Sequence, residues 1–250
     1  MGLLDDRELF KQRSEIEAWR DIARLKGEDF MSGARVDGDL EPYRDKVMVD
    51  VGCGPRPFLE FFPARHAFMV DCCMLGYRSE GLLRDETVDA VACVDAMAEE
   101  LPFRDASIDI VFAINMLDHT FQPNRVIAEF GRILKPGGML HVHVDVGGEP
   151  NECEPVVFTD ESLRALFDGF TPVHLERAAP SNPGRDHALR IIVARPGEEP
   201  SSAAPAERLD VMAAPGGGET LEAVASGLRD PETGIVYPIV DGVYDLRPRA

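Results

Sequence analysis

Short apolar segments alternate with amphipathic segments between residues 46 and 195. The apolar segments, each of a length typical of a buried strand, are 47–51, 67–71, 88–94, 108–114, 139–146, 171–177 and 188–194. The amphipathic segments, with apolar residues at helical spacing, are 58–65, 76–84, 123–135 and 159–168. This alternation predicts an α/β fold in which a doubly wound, mostly parallel sheet is covered by helices on both faces.

The last two predicted strands, 171–177 and 188–194, are joined by a short segment, A-A-P-S-N-P-G-R-D-H. A parallel connection needs a crossover of about a dozen residues or more, usually a helix. The segment is too short for such a crossover. We therefore expect the last two strands to be antiparallel neighbours.

The chain outside this region divides into an N-terminal cap, a linker and a C-terminal tail. Residues 5–27 form a predicted amphipathic helix in which Ile16 and Trp19 recur at helical spacing and Gly27 is a candidate C-cap. Such a helix packs against a core or covers an active site as a lid, and both interpretations stay open. The predicted division is 1–45 for the helical cap, 46–196 for the main domain, 197–206 for the linker and 207–250 for a small β module.

Composition narrows the class of protein. The net charge is −19 and the basic residues are scattered, so nucleic acid is a poor partner. The cysteines, Cys53, Cys72, Cys73, Cys93 and Cys153, form no C-x-x-C pair, which disfavours a disulfide framework or a zinc site and fits a reducing cytoplasm. The N-terminus lacks the pattern of a signal peptide, and no segment approaches the roughly 20 apolar residues of a membrane helix. We expect a cytoplasmic protein without a membrane or metal partner.

A glycine loop follows the first predicted strand in V-M-V-D-V-G-C-G-P-R-P, residues 47–57. The dinucleotide fingerprint G-x-G-x-x-G fails here, because Pro57 stands at the third glycine. Asp50, at the end of the strand, would repel a pyrophosphate and would attract a cationic amine. S-adenosylmethionine carries an amine and a sulfonium and has no phosphate, so it suits this loop. Arg56 is either a solvated turn residue or a cation at the mouth of the pocket.

Asp71 ends the second predicted strand, 21 residues after Asp50. An acid at that place in a β-α-β unit can accept hydrogen bonds from both ribose hydroxyls. One acid at a strand end is a weak signal. Together with Asp50, Gly52 and Gly54, it predicts a nucleoside-containing ligand at this edge of the sheet.

The main domain resembles the class I S-adenosylmethionine-dependent methyltransferases over roughly residues 45–195. The motifs that carry the resemblance are D-V-G-C-G-P (50–55), V-D (70–71), M-A-E-E-L-P-F-R-D-A-S-I-D-I-V (97–111), N-M-L-D-H (115–119) and R-I-L-K-P-G-G-M-L (132–140). The resemblance implies a seven-stranded Rossmann-like methyltransferase sheet with an antiparallel last strand. It also implies S-adenosylmethionine as cofactor.

The resemblance assigns roles to individual residues. It implies that Asp50, Gly52 and Gly54 hold the methionine end of the cofactor, and that Asp71 binds the ribose. Met97 and Ala98 would contact the adenine, although Asp95 and Ala96 offer a second register. Asn115 would lie near the methionine amine and the transferable methyl group.

His119 is the best candidate for a general base, because it follows the fourth predicted strand at the edge where ligands gather. The alternative is a histidine at a helix start, bonded to Asp118 or to the backbone. Asp145, near the carboxyl end of 139–146, is a second candidate for contact with the substrate. A base is required only if the methyl acceptor carries a proton that must leave.

The tail resembles the small zinc-ribbon proteins that activate methyltransferases of tRNA and release factors. The matching segments are L-D-V-M-A-A-P-G-G-G (209–218) and G-I-V-Y-P-I-V-D-G-V-Y-D-L (234–246). Ala214, Gly217, Asp230 and Thr233 stand near the places of the zinc cysteines, so that kind of zinc site cannot form here. We interpret the tail as a metal-free module that packs against the main domain through Tyr237, Pro238 and Ile239.

These patterns predict methyl transfer from S-adenosylmethionine to a small molecule through an oxygen, nitrogen or carboxylate nucleophile. One alternative is a translation-linked methyltransferase, acting on tRNA or protein, with a fused activator-like module. Another is a subunit that binds S-adenosylmethionine without catalysis. The sequence leaves the acceptor and the oligomeric state open.

Overall fold

A central twisted sheet organises the protein in the computed structural model, which describes residues 6–22, 40–55, 58–197 and 207–248. The strands are β1 (Val47–Val51), β2 (His66–Asp71), β3 (Ala92–Asp95), β4 (Ile108–Ile114), β5 (Leu134–Val146), β6 (Thr171–Ala178), β7 (His187–Ala194), β8 (Glu222–Val224), β9 (Gly227–Arg229), β10 (Val236–Tyr237), β11 (Ile239–Val240) and β12 (Val243–Asp245). The helices are α1 (Asp6–Ile22), α2 (Met74–Ser79), α3 (Asp85–Ala90), α4 (Pro123–Ile133) and α5 (Asp160–Ala165). Among the described helices, none combines the length and the apolarity needed to cross a membrane.

The strand order of the main sheet is β11-β12-β3-β2-β1-β4-β5-β7-β6. Strands β3, β2, β1, β4 and β5 run parallel, whereas β7 is antiparallel to both β5 and β6. This arrangement confirms the predicted fold class, including the antiparallel neighbours at the end of the domain. All five residues of β1 are buried, as expected for a strand covered by helices on both faces.

Helix α4 illustrates how the sequence covers the sheet. Pro123 occupies its first turn, where a missing N–H costs nothing. Val126, Ile127, Phe130 and Ile133 are buried on one face. They recur at helical spacing and join the core of the sheet.

Several predicted element boundaries are wrong. Residues 85–90 form α3, so the predicted strand 88–94 is shortened to β3, which begins at Ala92. The predicted helix 58–65 is a single 3-10 turn, Leu59–Phe61, and Pro63, which lacks an N–H, follows it closely. The predicted helix 76–84 begins earlier and ends at Ser79, close to Gly81 with its φ of +69°.

The tail contributes to the main sheet. Pro238, which cannot donate a hydrogen bond to a strand ladder, divides the apolar segment 235–240 into two short strands. Before Pro238, β10 joins β9 and β8 in a small antiparallel sheet. After Pro238, β11 pairs with β12, which runs parallel to β3. The main sheet therefore has nine strands, because two tail strands extend the seven of the predicted domain.

Three predictions lie outside the described residues. They concern the end of the N-terminal helix with its Gly27 cap, the residues Arg56 and Pro57, and most of the linker 197–206.

Candidate active site

A cavity of about 300 Å³ opens at the carboxyl edge of β1, β2 and β4. Its walls come from the glycine loop after β1, the ends of β2 and β4, and the segments around residues 97 and 154. One face of α1 covers it, contributing Lys11, Glu15 and Trp19 among others. The helix predicted at the N-terminus therefore lies over the site.

The glycine loop needs glycine at both of its positions. Gly52 has a φ of +68°, and a Cβ there would lie 2.5 Å from the Cβ of Met116. Gly54 has a φ of +60°, and a Cβ there would lie 2.4 Å from Cζ2 of Trp19. Positive φ is costly for a residue with a side chain, and either collision forces a neighbour to move. The loop is thus fixed both by its backbone conformation and by the packing against it.

Asp50 and Asp71 line the cavity beside the glycine loop. Oδ2 of Asp71 accepts a hydrogen bond from Gly54 N at 2.9 Å, and Oδ1 accepts one from Cys73 N at 2.8 Å. Burial raises the pKa of Asp50 well above its usual range, and the charge of Asp71 adds to the effect. Burial also raises the pKa of Asp71, although its two backbone hydrogen bonds oppose the shift. A cationic ligand in the cavity would relieve this buried negative pair.

Every residue predicted to bind the cofactor lines this one cavity. We call four of these residues, Asp50, Gly52, Gly54 and Asp71, the glycine-loop end. The other three predicted cofactor residues that line the cavity are Met97, Ala98 and Asn115. Asn115 has a φ of +54°, and its N–H donates to the carbonyl of His143 at 2.6 Å.

The second possible adenine register involves Asp95 and Ala96. Ala96 lines the cavity, but Asp95 does not. The Oδ2 atom of Asp95 accepts a hydrogen bond from Leu75 N at 2.8 Å, and Arg247 lies 3.2 Å from Oδ1. This placement favours the register with Met97 and Ala98.

Another part of the cavity is lined by His119, Glu15 and Glu154, and the buried Asp118 adjoins His119 along the chain. We call these four residues the histidine end. Nδ1 of His119 lies 2.7 Å from Oε1 of Glu15, which also pairs with Lys11 at 2.9 Å. Burial lowers the pKa of His119, but the hydrogen bond and the charge of Glu15, together with the charge of Asp118, outweigh burial and raise that pKa. Burial raises the pKa of Glu15, but its hydrogen bonds and charge interactions with His119 and Lys11 together lower that pKa to about 2. Glu15 thus contacts two basic side chains at this end of the cavity.

Asp118 and Glu154 lie on the other side of the His119 ring. Asp118 is only 1% exposed, and burial raises its pKa to about 6. Glu154 lies 3.8 Å from His119 Nε2 and accepts hydrogen bonds from Arg185, Asn182 and Asn151. The expected bond between His119 and Asp118 is replaced by the bond to Glu15.

The structure does not bring Asp145 to the cavity. Asp145 is 2% exposed and accepts hydrogen bonds from the backbone N–H groups of Ser181 and Asn182, both at 2.8 Å. Asn182 does line the cavity. Direct contact between Asp145 and a substrate is therefore not supported, and Asp145 holds the loop that carries Asn182.

Sequence reasoning missed most of the histidine end. Glu15, Glu154 and Asn182 were not singled out, although all three line the cavity. A signal was present in α1, because Glu8, Lys11 and Glu15 recur at helical spacing. Charged side chains on a helix usually face solvent, whereas these three line the cavity.

The four tail positions near the zinc cysteines of the resemblance, Ala214, Gly217, Asp230 and Thr233, carry no thiol. Oδ2 of Asp230 accepts a hydrogen bond from Thr233 Oγ1 at 2.5 Å, and Oδ1 accepts one from Glu232 N at 2.9 Å. Hydrogen bonds thus close the turn where the resemblance places a cysteine pair.

Comparison with known proteins identifies the central segment. Residues 49–142 match the family described as "Methyltransferase domain". The malonyl-[acyl-carrier protein] O-methyltransferase of Methylococcus capsulatus is 32% identical over 124 residues, which are 48% of this chain and 43% of that protein. The chain thus matches less than half the length of this curated relative.

Two solved structures share the fold. One comes from the complex between the Haloferax volcanii Trm112 methyltransferase activator and a methyltransferase, with a TM-score of 0.53, 15% identity, and coverage of 78% of this chain and 100% of that chain. The other is 1,6-didemethyltoxoflavin-N1-methyltransferase from Burkholderia thailandensis, with a TM-score of 0.52, 19% identity, and coverage of 79% and 93%. The match of residues 49–142 to the methyltransferase domain supports S-adenosylmethionine as the cofactor.

Proposed function

We propose that this protein transfers a methyl group from S-adenosylmethionine to a small-molecule acceptor with an oxygen, nitrogen or carboxylate nucleophile. The observation that carries the proposal is a single covered cavity with two chemically different ends. The glycine-loop end offers buried carboxylates and glycines, and the histidine end offers charged side chains to a second molecule. A volume of about 300 Å³ suits small ligands rather than a polymer.

The glycine-loop end has the chemistry that the cofactor requires. Asp50 would face the methionine amine, and Asp71 would accept hydrogen bonds from the ribose hydroxyls. Met97 and Ala98 would border the adenine, and Asn115 would lie near the methyl group. Because the bound cofactor is cationic, it would neutralise carboxylates whose pKa values burial has raised.

Methyl transfer is an in-line displacement at the carbon of a sulfonium, and the leaving group is neutral. The acceptor's lone pair forms the new bond while the bond from carbon to sulfur breaks. Alignment of the two molecules supplies much of the acceleration. Helix α1 supports that alignment, because Trp19 packs over Gly54 and Glu15 pairs with His119 across the cavity.

A small acceptor is favoured over tRNA by charge. The chain carries a net charge of −19, and the cavity wall adds Glu15, Asp71 and Glu154. A phosphate backbone would be repelled from such an opening.

The alternative of a subunit that binds S-adenosylmethionine without catalysis is tested by an assay of methyl transfer.

The test uses Trp19, the one tryptophan of the chain, which lines the cavity and reports binding by fluorescence. We expect saturable quenching or enhancement with S-adenosylmethionine, and a loss of affinity of about tenfold or more in Asp71→Ala. Asp168→Ala is the matched control, because Asp168 is exposed and lies beyond α5. We also expect transfer of a radiolabelled methyl group to members of a panel of small alcohols, amines and acids. Unchanged affinity in Asp71→Ala would refute the ribose assignment, and binding without turnover on any acceptor would favour the non-catalytic alternative.

A further inference from the structure

Three potential metal ligands converge beside the cavity at the histidine end. One oxygen of Asp118, one nitrogen of His119 and one oxygen of Glu154 all lie within 4.8 Å of one another. His119 and Glu154 line the cavity, whereas Asp118 is buried behind them. Acids and a histidine often lie close together on protein surfaces, where water solvates them. This group is instead largely buried, so its charges need another partner.

Polar atoms of this group have no hydrogen-bond partner among the described residues. They are both carboxylate oxygens of Asp118 and the Nε2 atom of His119. Asp118 is 1% exposed, so water does not replace the missing partner at its surface. A buried carboxylate without a hydrogen-bond partner destabilises the fold strongly. A cation placed between these atoms would satisfy all of them.

The spacing suits one ion. Two ligands that each lie about 2.1 Å from a cation are at most about 4.2 Å apart. His119 Nε2 and Glu154 Oε1 are 3.8 Å apart, within this limit. The widest separation in the group, at most 4.8 Å, needs a closure of no more than about 0.6 Å. Side-chain rotation alone can provide it.

The surroundings resemble the outer shell of a metal site. A ligating histidine almost always donates its other ring N–H to a carboxylate. Glu15 lies 2.7 Å from Nδ1 of His119, and the other ring nitrogen, Nε2, lies 3.8 Å from Oε1 of Glu154. Glu154 is itself held by Arg185, Asn182 and Asn151.

We propose that Asp118, His119 and Glu154 bind a divalent first-row cation, for which Mn²⁺ is a suitable probe, at the histidine end of the cavity. Two carboxylate oxygens and one imidazole nitrogen form a mixed donor set of the kind that such cations accept. The inference rests on the proposed function, since the ion would hold an acceptor that carries an oxygen or nitrogen donor. It also changes the role predicted for His119 from a general base to a metal ligand.

A second group, Asp71, Cys72 and Cys73, also has its potential ligand atoms within 4.8 Å of one another. It is the weaker candidate, because neither oxygen of Asp71 is buried without a hydrogen-bond partner, whereas both oxygens of Asp118 are. Its thiols provide a useful control, since Cys72→Ser removes a ligand there and leaves the histidine end unaltered.

The experiment is calorimetric titration of the chelator-treated full chain with Mn²⁺ alone. We expect one site, and binding more than about tenfold weaker in Asp118→Asn, which removes a ligand charge and keeps the shape. Glu15→Gln, which removes the carboxylate beside Nδ1 and the ion pair of that carboxylate with Lys11, should weaken Mn²⁺ binding by about tenfold. Glu152→Gln, an exposed neighbour of Glu154, and Cys72→Ser should leave it unchanged.

Asp118→Asn should also melt at the same or a higher temperature than the metal-free wild type, because it removes a buried unpaired charge. No Mn²⁺ binding at millimolar concentration, equal binding in Asp118→Asn, or binding lost only in Cys72→Ser would overturn the proposal. Titration of the same samples with S-adenosylmethionine separates the two hypotheses. Cofactor binding without Mn²⁺ binding refutes the metal site alone, and absence of cofactor binding refutes the proposed function.

Discussion

The two ends of the cavity are built in different ways. The glycine-loop end comes from two strand ends and one loop, with Asp50, Gly52, Gly54 and Asp71 within 22 residues of one another along the chain. The histidine end combines α1 with the turn after β4 and the segment after β5, so that Glu15 meets His119 across 104 residues. One end is set by local backbone conformation, and the other by side chains that only the tertiary fold brings together.

This difference predicts how each end responds to change. The glycine-loop end should be intolerant of added atoms, because its shape depends on positive φ and on close packing. Conservative substitutions at the histidine end should leave the protein folded. Each of them should reduce activity by part, because each removes one charged contact.

The largest expected effect is at Gly52. Gly52→Ala adds a Cβ that would lie 2.5 Å from Met116 Cβ at a φ of +68°. We expect affinity for S-adenosylmethionine to fall about 100-fold, equivalent to about 2.7 kcal/mol. Fluorescence titration of Trp19 measures it.

Gly81→Ala is the matched control for this change. Gly81 has a φ of +69°, and a Cβ there would meet nothing within 4 Å. It should lose about 1 kcal/mol of folding stability through backbone strain and keep full cofactor affinity. Equal cofactor affinity in both variants would show that the close packing around Gly52 does not shape the site.

An intermediate effect is expected at Asp50. Burial and the charge of Asp71 raise its pKa in the folded protein. The folded state therefore binds a proton that the unfolded state releases above about pH 3.9. The stability of the ligand-free protein should decline as the pH rises above that value, up to the folded pKa of Asp50. Asp50→Asn should flatten this decline, as measured by denaturant unfolding across pH.

Cofactor binding gives an independent test of Asp50. A cationic amine favours the carboxylate, so binding should release a proton and should strengthen as the pH rises. Calorimetry in two buffers that differ in ionisation enthalpy measures this release. Asp50→Asn should bind S-adenosylmethionine about tenfold more weakly without proton release. Release of the same proton by Asp50→Asn would assign the titration to another group.

The smallest effect concerns Asp145. Asp145→Asn exchanges an oxygen acceptor for an amide donor beneath the N–H groups of Ser181 and Asn182. We expect KM for the acceptor to rise a few fold, with cofactor affinity unchanged, because Asp145 positions the loop and does not touch substrate.

Asp109→Asn is the control for Asp145. Asp109 is also buried and accepts hydrogen bonds from Val47 N at 2.8 Å and from Lys135 at 2.7 Å, away from the cavity. It should reduce stability without changing KM for the acceptor. A large fall in kcat for Asp145→Asn with unchanged KM would restore the direct role that the sequence predicted.

The same contrast explains what the sequence could predict. The strand 108–114 was predicted at its observed bounds, because it is an apolar run interrupted only by Asp109 and such a run indicates a buried strand. The residues of the glycine-loop end were predicted together because their roles follow from positions at strand ends. The segment 88–94 was misassigned, because a short run such as V-D-A-V fits either a helix end or a strand.

Long-range pairing could not be predicted in the same way. The partner of His119 lies on α1, and nothing near residue 119 in the sequence indicates it. The pairing of β12 with β3 likewise depends on a tail that returns to the sheet edge after Pro238. The periodicity of a sequence shows which residues share one face of a helix or strand. It does not show which distant residues contact that face.

The most direct test of the central claim is calorimetric titration of the wild-type chain with S-adenosylmethionine and, separately, with NAD. The account predicts saturable binding of S-adenosylmethionine at one site per chain and no binding of NAD, because Asp50 opposes a pyrophosphate on the glycine loop. Equal binding of NAD, or no binding of S-adenosylmethionine by the folded protein, would contradict it.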